Sequence, residues 1–319
     1  MNLIFIHIGN KNISYLNSSI KQALIFNNNI NIYLISNKKT YGNLISVIKR
    51  KIIFKDLAKI KIKKNHKNFI KNTLLDSKWN KGFWKFTSER FFYLQNIIES
   101  ENLKNIIHVE NDLMIYFDIK SKIDVFEKNY QIGLLLDSNI KAIPSFLYFK
   151  DLSCINNLIK SFEKKNSFIN RLIANTIGKL YFRLFKKNLY KNNDMNILFE
   201  FYLKNKKNCI LPSSTPTLIK NKQYSKNVNL YKNYKQFDGI FDPASFGLYL
   251  DGFDTTNIFR NSKVQIKNII CKSANDVTKH KIFFIKFNKK KIPYIIDNSK
   301  KIKLLTLHIH SKRLSKFLS

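Results

Sequence analysis

Apolar and polar positions follow two different periods along the first 110 residues. Leu3 to Ile8 is a short unbroken apolar run, the length of a buried strand. From Tyr15 to Phe26 the apolar positions Leu16, Ile20, Ala23 and Leu24 fall at helical spacing. A second apolar run, Asn31 to Ser36, closes in polar residues. Together these predict the β-α-β opening of a parallel sheet. Ligands of such sheets bind beyond the carboxyl ends of the strands, where His7, Gly9, Asn10, Ser36 and Asn37 stand. Residues 40–80 are rich in lysine, with a short strand expected over Lys51 to Phe54. Phe83 to Ser100 reads as a helix, with Thr87 as its N-cap and Phe91, Leu94, Ile97 and Ile98 as the buried stripe. A strand from Asn105 to Val109 follows.

Beyond it the pattern predicts a helix over Lys120 to Phe126, strands over Gln131 to Leu136 and Ala142 to Phe149, and a helix over Asp151 to Phe162. Phe168 to Tyr190 reads as a basic amphipathic helix. Its apolar positions include Phe168, Leu172, Ile173, Ile177, Leu180 and Leu184; its basic ones include Arg171, Lys179, Arg183, Lys186 and Lys187. The preferred reading is a core-facing helix with a solvated basic face; the alternative is docking onto acidic lipid. Met195 to Lys204 is another helix, Cys209 to Pro212 a short strand and turn, and Pro243 to Leu250 a short helix. Strand-like runs cover Ile282 to Phe287, Ile292 to Ile296 and Leu304 to His310. No linker or internal repeat interrupts the chain, so a single α/β domain spanning 1–319 is expected.

Composition narrows the function classes. Hydrophobic residues make up 44% of 319, enough for a packed core. The three cysteines, Cys154, Cys209 and Cys271, are scattered and form no C-x-x-C pair, which fits reduced thiols and a cytoplasmic setting. No apolar run approaches the roughly 18 residues of a membrane span, and the first residues lack the basic start of a signal peptide. The formal charge is +36. It admits attraction to nucleic acid or to an anionic membrane surface. However, the lysines are spread over the whole chain, arginine is rare, and Gly (8) and Pro (5) are scarce. Compositional drift explains that better than a focused nucleic-acid face, so a basic nucleic-acid-binding protein is the alternative and not the main reading.

The chemistry concentrates at two places. Glu110-Asn111-Asp112 ends the strand from Asn105. Two carboxylates two residues apart at a strand end suit a hard divalent cation, Mn²⁺ or Mg²⁺, which prefers oxygen ligands and keeps company with phosphate. Near the other end stands Leu307-His308-Ile309-His310-Ser311-Lys312. On a strand His308, His310 and, if the strand runs on, Lys312 would share a face, so an imidazole could complete a metal shell and the ammonium could hold phosphate; the equal alternative is a pair of exposed histidines on an edge strand. Arg90, on the helix before the acidic strand, could bond a diphosphate or ribose, or extend to solvent. Asp242, before Pro243, and Asp194, before the Met195 helix, are each either a helix cap or an acceptor-side carboxylate or general base; capping is preferred for Asp194, and Asp242 is left open. No P-loop, G-x-G-x-x-G, G-x-S-x-G or zinc-type spacing is present, so the P-loop ATPase, Rossmann dehydrogenase, α/β-hydrolase and zinc-enzyme classes lose ground.

The chain resembles the GT-A-type nucleotide-diphospho-sugar glycosyltransferases. The opening LIFIHIGNKNISYLNSSIKQALIFNNNINIYLISN looks like their nucleotide-binding start. GFWKFTSERFFYLQNIIESENLKNIIHVENDLMIY looks like the helix and strand that deliver their D-x-D motif. FDPASFGLYLDGFD and LHIHSK are similar to segments of bacterial and viral members. The resemblance implies a GT-A fold with a mostly parallel sheet, residues 1–135 as the nucleotide-sugar half and 136–319 as the acceptor half. It implies Asp112 as the metal-binding acid, Glu110 on metal or ribose, and His308 or His310 completing the metal site. Lys312 would hold the diphosphate, Arg90 and Asn111 would contact the nucleotide sugar, and His7, Gly9 and Ser36 would line its base and ribose pocket. The first acid is Glu where the motif has Asp. The implied activity is a metal-dependent hexosyltransferase. It would use a nucleoside-diphosphate sugar, a UDP-sugar in the first instance, to build a polysaccharide on a saccharide or lipid-linked acceptor. Asp242 and Asp194 are the candidates on the catalytic acceptor side, and the inner face of a membrane is a partner surface.

Overall fold

The computed structural model describes residues 1–9, 13–75, 82–178, 193–206, 209–251, 272–277 and 280–319. Strand β1 (Asn2–Ile6) leads through helix α1 (Tyr15–Phe26) to β2 (Asn31–Ser36). Two short helices, α2 (Lys38–Gly42) and α3 (Ser46–Lys49), connect to β3 (Ile53–Asp56). Helices α4 (Lys64–Asn72) and α5 (Phe83–Ser100) precede β4 (Ile106–Val109) and β5 (Leu113–Ile115). Then come α6 (Ile123–Asn129), β6 (Ile132–Ser138), β7 (Lys141–Phe149), α7 (Leu152–Lys165), α8 (Phe168–Ile173) and α9 (Asp194–Lys204). Strands β8 (Phe283–Phe287), β9 (Lys290–Asp297), β10 (Lys300–Lys303) and β11 (Thr306–His308) follow.

The central sheet has the order β3-β2-β1-β4-β7-β6. β1 pairs in parallel with β2 and β4, and β2 with β3. β7 runs antiparallel to both β4 and β6, so β6 points the same way as β4. The fold is α/β with a mostly parallel sheet flanked by helices, as the sequence predicts. Alternation along β1 explains the layering, because successive side chains leave opposite faces of a strand. Leu3 and Phe5 pack with Leu16, Ile20 and Ala23 of α1. Ile4 and Ile6 pack with Phe91, Leu94 and Ile98 of α5 and Ile155 and Leu158 of α7. With both faces covered, the strands are apolar throughout instead of alternating.

A third apolar cluster joins Met114 and Tyr116 to Ile292, Ile295, Leu304 and Leu307. It seats the antiparallel sheet β10-β9-β8 and the pair β11-β5. β11 pairs antiparallel to β5, with His308 opposite Leu113.

Four expectations are corrected. Helix α5 begins at Phe83 behind Gly82, whose φ is +79°, so Thr87 lies inside the helix and its hydroxyl donates to the Trp84 carbonyl. Residues 243–250 form a turn with one 3₁₀ segment at Gly247–Tyr249. The strand expected over 304–310 ends at His308; the chain then turns and Lys312 takes φ +63°. In the basic segment, α8 ends at Ile173 and runs into a π-helical turn at Ala174–Gly178. Phe168, Leu172 and Ile177 are exposed there, not core-facing. Positions 179–192, with Lys179, Leu180, Arg183, Leu184, Lys186 and Lys187, lie outside the described residues, as do Asn10 and Cys271.

Candidate active site

The acidic turn forms because β4 ends at Val109 and the chain reverses into β5. Glu110 N–H donates to the Ser145 carbonyl at 3.0 Å, and Leu113 N–H to the Glu110 carbonyl at 3.1 Å. The Asn111 side chain donates to the Ile6 carbonyl at 3.0 Å, tying the turn to the end of β1. β11 is fastened beside it: Ile309 N–H donates to the Asp112 carbonyl at 3.1 Å.

Glu110, Asp112 and His308 therefore converge. His308 Nε2 lies 3.1 Å from Asp112 Oδ1 and 3.4 Å from Glu110 Oε2. One ligand atom from each residue lies within 4.8 Å of the other two. Two carboxylates and one imidazole, with Asp112 and His308 buried, are a donor set that fits Mn²⁺ or Mg²⁺. Lys312 Nζ forms an ion pair with Asp112 Oδ2. Burial disfavours the Asp112 anion, but Lys312 and then His308 outweigh it and hold the carboxyl well below its usual value. Burial likewise opposes the His308 cation, yet Asp112 raises its pKa. The His310 ring contacts that of His308 edge-on at 4.6 Å. Burial, His308 and Lys312 drive His310 well below the usual imidazole value. His310 Nε2 and His308 Nδ1 are buried with no hydrogen-bond partner among the described residues.

Arg90 projects from α5 beneath this cluster. Its Nη2 donates to Glu110 Oε1 and Asp194 Oδ2, both at 2.9 Å. Burial works against the guanidinium charge, but Glu110 and Asp194 together raise its pKa. Asp194 is the first residue of α9; Asn193 caps that helix by accepting from Asn196 N–H. Burial pushes the Asp194 carboxyl up and Arg90 opposes it. The capping role considered for Asp194 thus belongs to its neighbour. The contacts of Arg90 are with two carboxylates, the buried Asp194 and the half-buried Glu110.

Asp242 is fully buried. Its Oδ1 accepts from the N–H groups of Ser245 and Phe246 at 2.7 and 2.9 Å. Its Oδ2 accepts from those of Gly247 and His308 at 2.8 and 3.0 Å. Burial pushes the carboxyl up, and these N–H groups pull it down. Four backbone donors engage the carboxylate in holding a turn and β11, which supports the structural alternative considered for Asp242 beside that of a general base. Its carbonyl accepts from Ser145 Oγ at 3.5 Å and its N–H donates to Thr306 Oγ1 at 3.0 Å.

His7, Gly9 and Ser36 stand at the ends of β1 and β2 on the same sheet edge as Glu110. His7 N–H donates to the Ile35 carbonyl at 2.9 Å. The Gly9 carbonyl accepts from Asn37 at 2.9 Å, and Ser36 donates to the Asn37 carbonyl at 3.2 Å. Ser145 and Thr306, which link Glu110 to Asp242 and β11, escape sequence reading; the only local signal is the Pro144-Ser145 break in an apolar run. Asp137, at the end of β6 on that edge, also escapes it. Its Oδ1 accepts from Ser245 Oγ at 2.5 Å and Ser273 Oγ at 2.8 Å. Two open hollows, of about 400 Å³ beside Lys63 and Gln95 and about 320 Å³ beside Lys164 and Lys204, contain none of these residues. Neither gathers converging carboxylates or imidazoles, so the candidate site rests on its chemistry and not on cavity size.

No protein-family model matches the chain, and no curated protein matches it. Among solved structures, mouse xyloside xylosyltransferase 1 in its apo form is similar at 12% identity and a TM-score of 0.44, over 66% of this chain and 84% of that one. The PaToxG glycosyltransferase is similar at 14% identity and a TM-score of 0.39, over 64% and 69%. The galactosyltransferase LgtC, solved with donor and acceptor sugar analogues, is similar at 10% identity and a TM-score of 0.39, over 74% and 82%.

Proposed function

We propose that the chain is a glycosyltransferase of the hexosyltransferase type, moving a sugar from a nucleoside-diphosphate sugar to a hydroxyl of a saccharide or lipid-linked acceptor. The observation that carries this reading is the convergence of Glu110, Asp112 and His308 at the carboxyl edge of a mostly parallel sheet, the edge at which α/β proteins bind ligands. Glu110, Asp112 and His308 would hold Mn²⁺ or Mg²⁺. When bound, that cation neutralises negative charge on the departing diphosphate.

The chain's own groups do the rest. Lys312 supplies a second positive charge beside Asp112, suited to a phosphate as a point charge. Arg90 fixes the Glu110 carboxylate from below, so its role is positioning rather than contact with the nucleotide. The ends of β1 and β2, with His7, Gly9 and Ser36, offer the adjoining floor for base and ribose. The acceptor oxygen attacks the anomeric carbon as the bond from that carbon to the diphosphate oxygen breaks; the nucleoside diphosphate leaves with the electron pair, and the hydroxyl proton passes to the departing phosphate oxygen or to water.

The test is a thermal-shift panel of nucleoside diphosphates and their sugars with and without Mn²⁺, since a ligand of the folded state raises the melting temperature. A cation-dependent rise with one nucleotide is expected. No rise with any nucleotide, together with steeply salt-dependent RNA affinity, would overturn the reading in favour of nucleic-acid binding.

A further inference from the structure

Helix α8 turns its apolar side chains outward. Phe168 is 59% exposed, Ile169 66%, Leu172 49%, and Ile177 in the following π-helical turn 58%. Scattered exposed apolar residues are ordinary, but four large ones within ten consecutive positions make a patch that water penalises. Among the described residues none of the four belongs to the buried core clusters or packs against them.

Basic groups lie on one side of the patch. The hollow that Asn170 of α8 shares with α7 and α9 is lined by Lys164, Lys165 and Lys204, with Glu200 the acid among them. Arg171 donates to the Lys71 carbonyl at 2.6 Å, which holds its guanidinium against α4 and fixes one side of α8 to the body. Lys165 is paired with Glu200 at 2.7 Å, while Lys71, Lys164 and Lys204 are exposed. The whole chain carries +36.

We propose that α8 and the turn after it form an interfacial anchor that lays Phe168, Ile169, Leu172 and Ile177 into the surface of an anionic lipid bilayer, with the neighbouring lysines on the headgroups. Apolar side chains flanked by lysine are what such a surface selects, because burial of the apolar face and attraction to anionic lipid add. A second copy is a poor occupant: it would bring another +36 against the first, and like charge opposes association. Among the described residues no helix is long and apolar enough to cross a membrane, so the contact lies in the interface plane. The inference is independent of the proposed reaction, since binding is read without turnover.

The experiment is co-sedimentation of the full chain with vesicles of phosphatidylcholine alone and of phosphatidylcholine mixed with phosphatidylglycerol, at low and high salt. Binding to the mixed vesicles, weakened but not abolished by salt, is expected. The double variant Ile169→Glu/Leu172→Glu changes only exposed positions and should lose roughly ten-fold or more in partitioning, with an unchanged melting curve. Phe287→Glu is the control: Phe287 is 65% exposed on the β8–β9 hairpin, and its substitution should leave binding unaltered. No binding of the wild-type chain to mixed vesicles overturns the proposal. So does binding that the double variant retains, or that Phe287→Glu alone removes. A dimer that the double variant dissolves assigns the patch to self-association and overturns it equally.

Discussion

The main-chain N–H of His308 donates to Oδ2 of Asp242 at 3.0 Å, across 66 residues of sequence. One carboxylate thereby fixes both the 245–247 turn and the strand that delivers the imidazole. Asp242→Asn keeps the shape but replaces one acceptor oxygen by a donor, facing backbone N–H groups with another N–H. The expected cost is about 2–4 kcal/mol, from two N–H groups left without acceptors, measured by chemical denaturation. Excess cation should restore turnover of the folded fraction. Turnover lost by orders of magnitude at unchanged stability would return Asp242 to the role of a base.

Gly247 is pressed against the same strand. A methyl added there would lie 2.4 Å from the His308 carbonyl oxygen and 2.8 Å from Asp242 Oδ2. Gly247→Ala must displace β11 and should cost about 1–3 kcal/mol while weakening cation affinity, as read by titration calorimetry. Gly42→Ala is the contrast, since among the described residues nothing beyond its chain neighbours and its own helix backbone lies within 4 Å of the added methyl. It should be neutral or stabilising by about 0.4–1 kcal/mol.

Arg90→Met leaves Glu110 and Asp194 without the cation between them. Removing one member of a buried pair is expected to cost about 3–5 kcal/mol. Adding Asp194→Asn removes one of the stranded charges and should recover part of the loss. A double variant no more stable than the single one would show that the two carboxylates do not act through Arg90.

Asp112→Asn removes the acid nearest His308 and Lys312. The cation-dependent rise in melting temperature should disappear while the far-ultraviolet circular dichroism stays native. Mn²⁺ binding that persists with wild-type affinity would place the cation elsewhere.

His108 supplies a pH signature. It is buried in β4, bonded through Nδ1 to the Ile4 carbonyl at 3.1 Å, and burial, reinforced by Arg90, lowers its pKa to about 3. The unfolded chain binds this proton near the ordinary imidazole value of about 6.5, so its contribution to stability is complete above that value. It fades as pH falls from there toward about 3. The slope in this window is up to about 1.4 kcal/mol per pH unit. Denaturation of His108→Asn against wild type at several pH values should show a shallower slope, whatever its absolute stability.

The strands and helices of the first half were legible because both faces of the sheet are covered, so apolar runs are continuous and helical stripes are long. Ser88 to Ile98 is buried throughout, which leaves the α5 stripe little to compete with. The termination of β11 was not legible. Nothing in Ile309-His310-Ser311 announces a turn, and Lys312 reaches Asp112 through a left-handed residue instead of strand alternation. The residue types of the site could be read locally, but the commitments of Arg90 and Asp242 could not. Each is decided by partners from distant elements: Asp194 lies 104 positions from Arg90, and His308 lies 66 from Asp242. The basic segment misled because an amphipathic period says that one face is apolar, not what that face meets.

Asp112 and Lys312 are 200 positions apart. Closing so long a loop is entropically slow, and contacts of that separation form late in folding. The proposed nucleotide affinity should therefore serve as a completion signal: intermediates with a finished sheet would still be blind to the ligand.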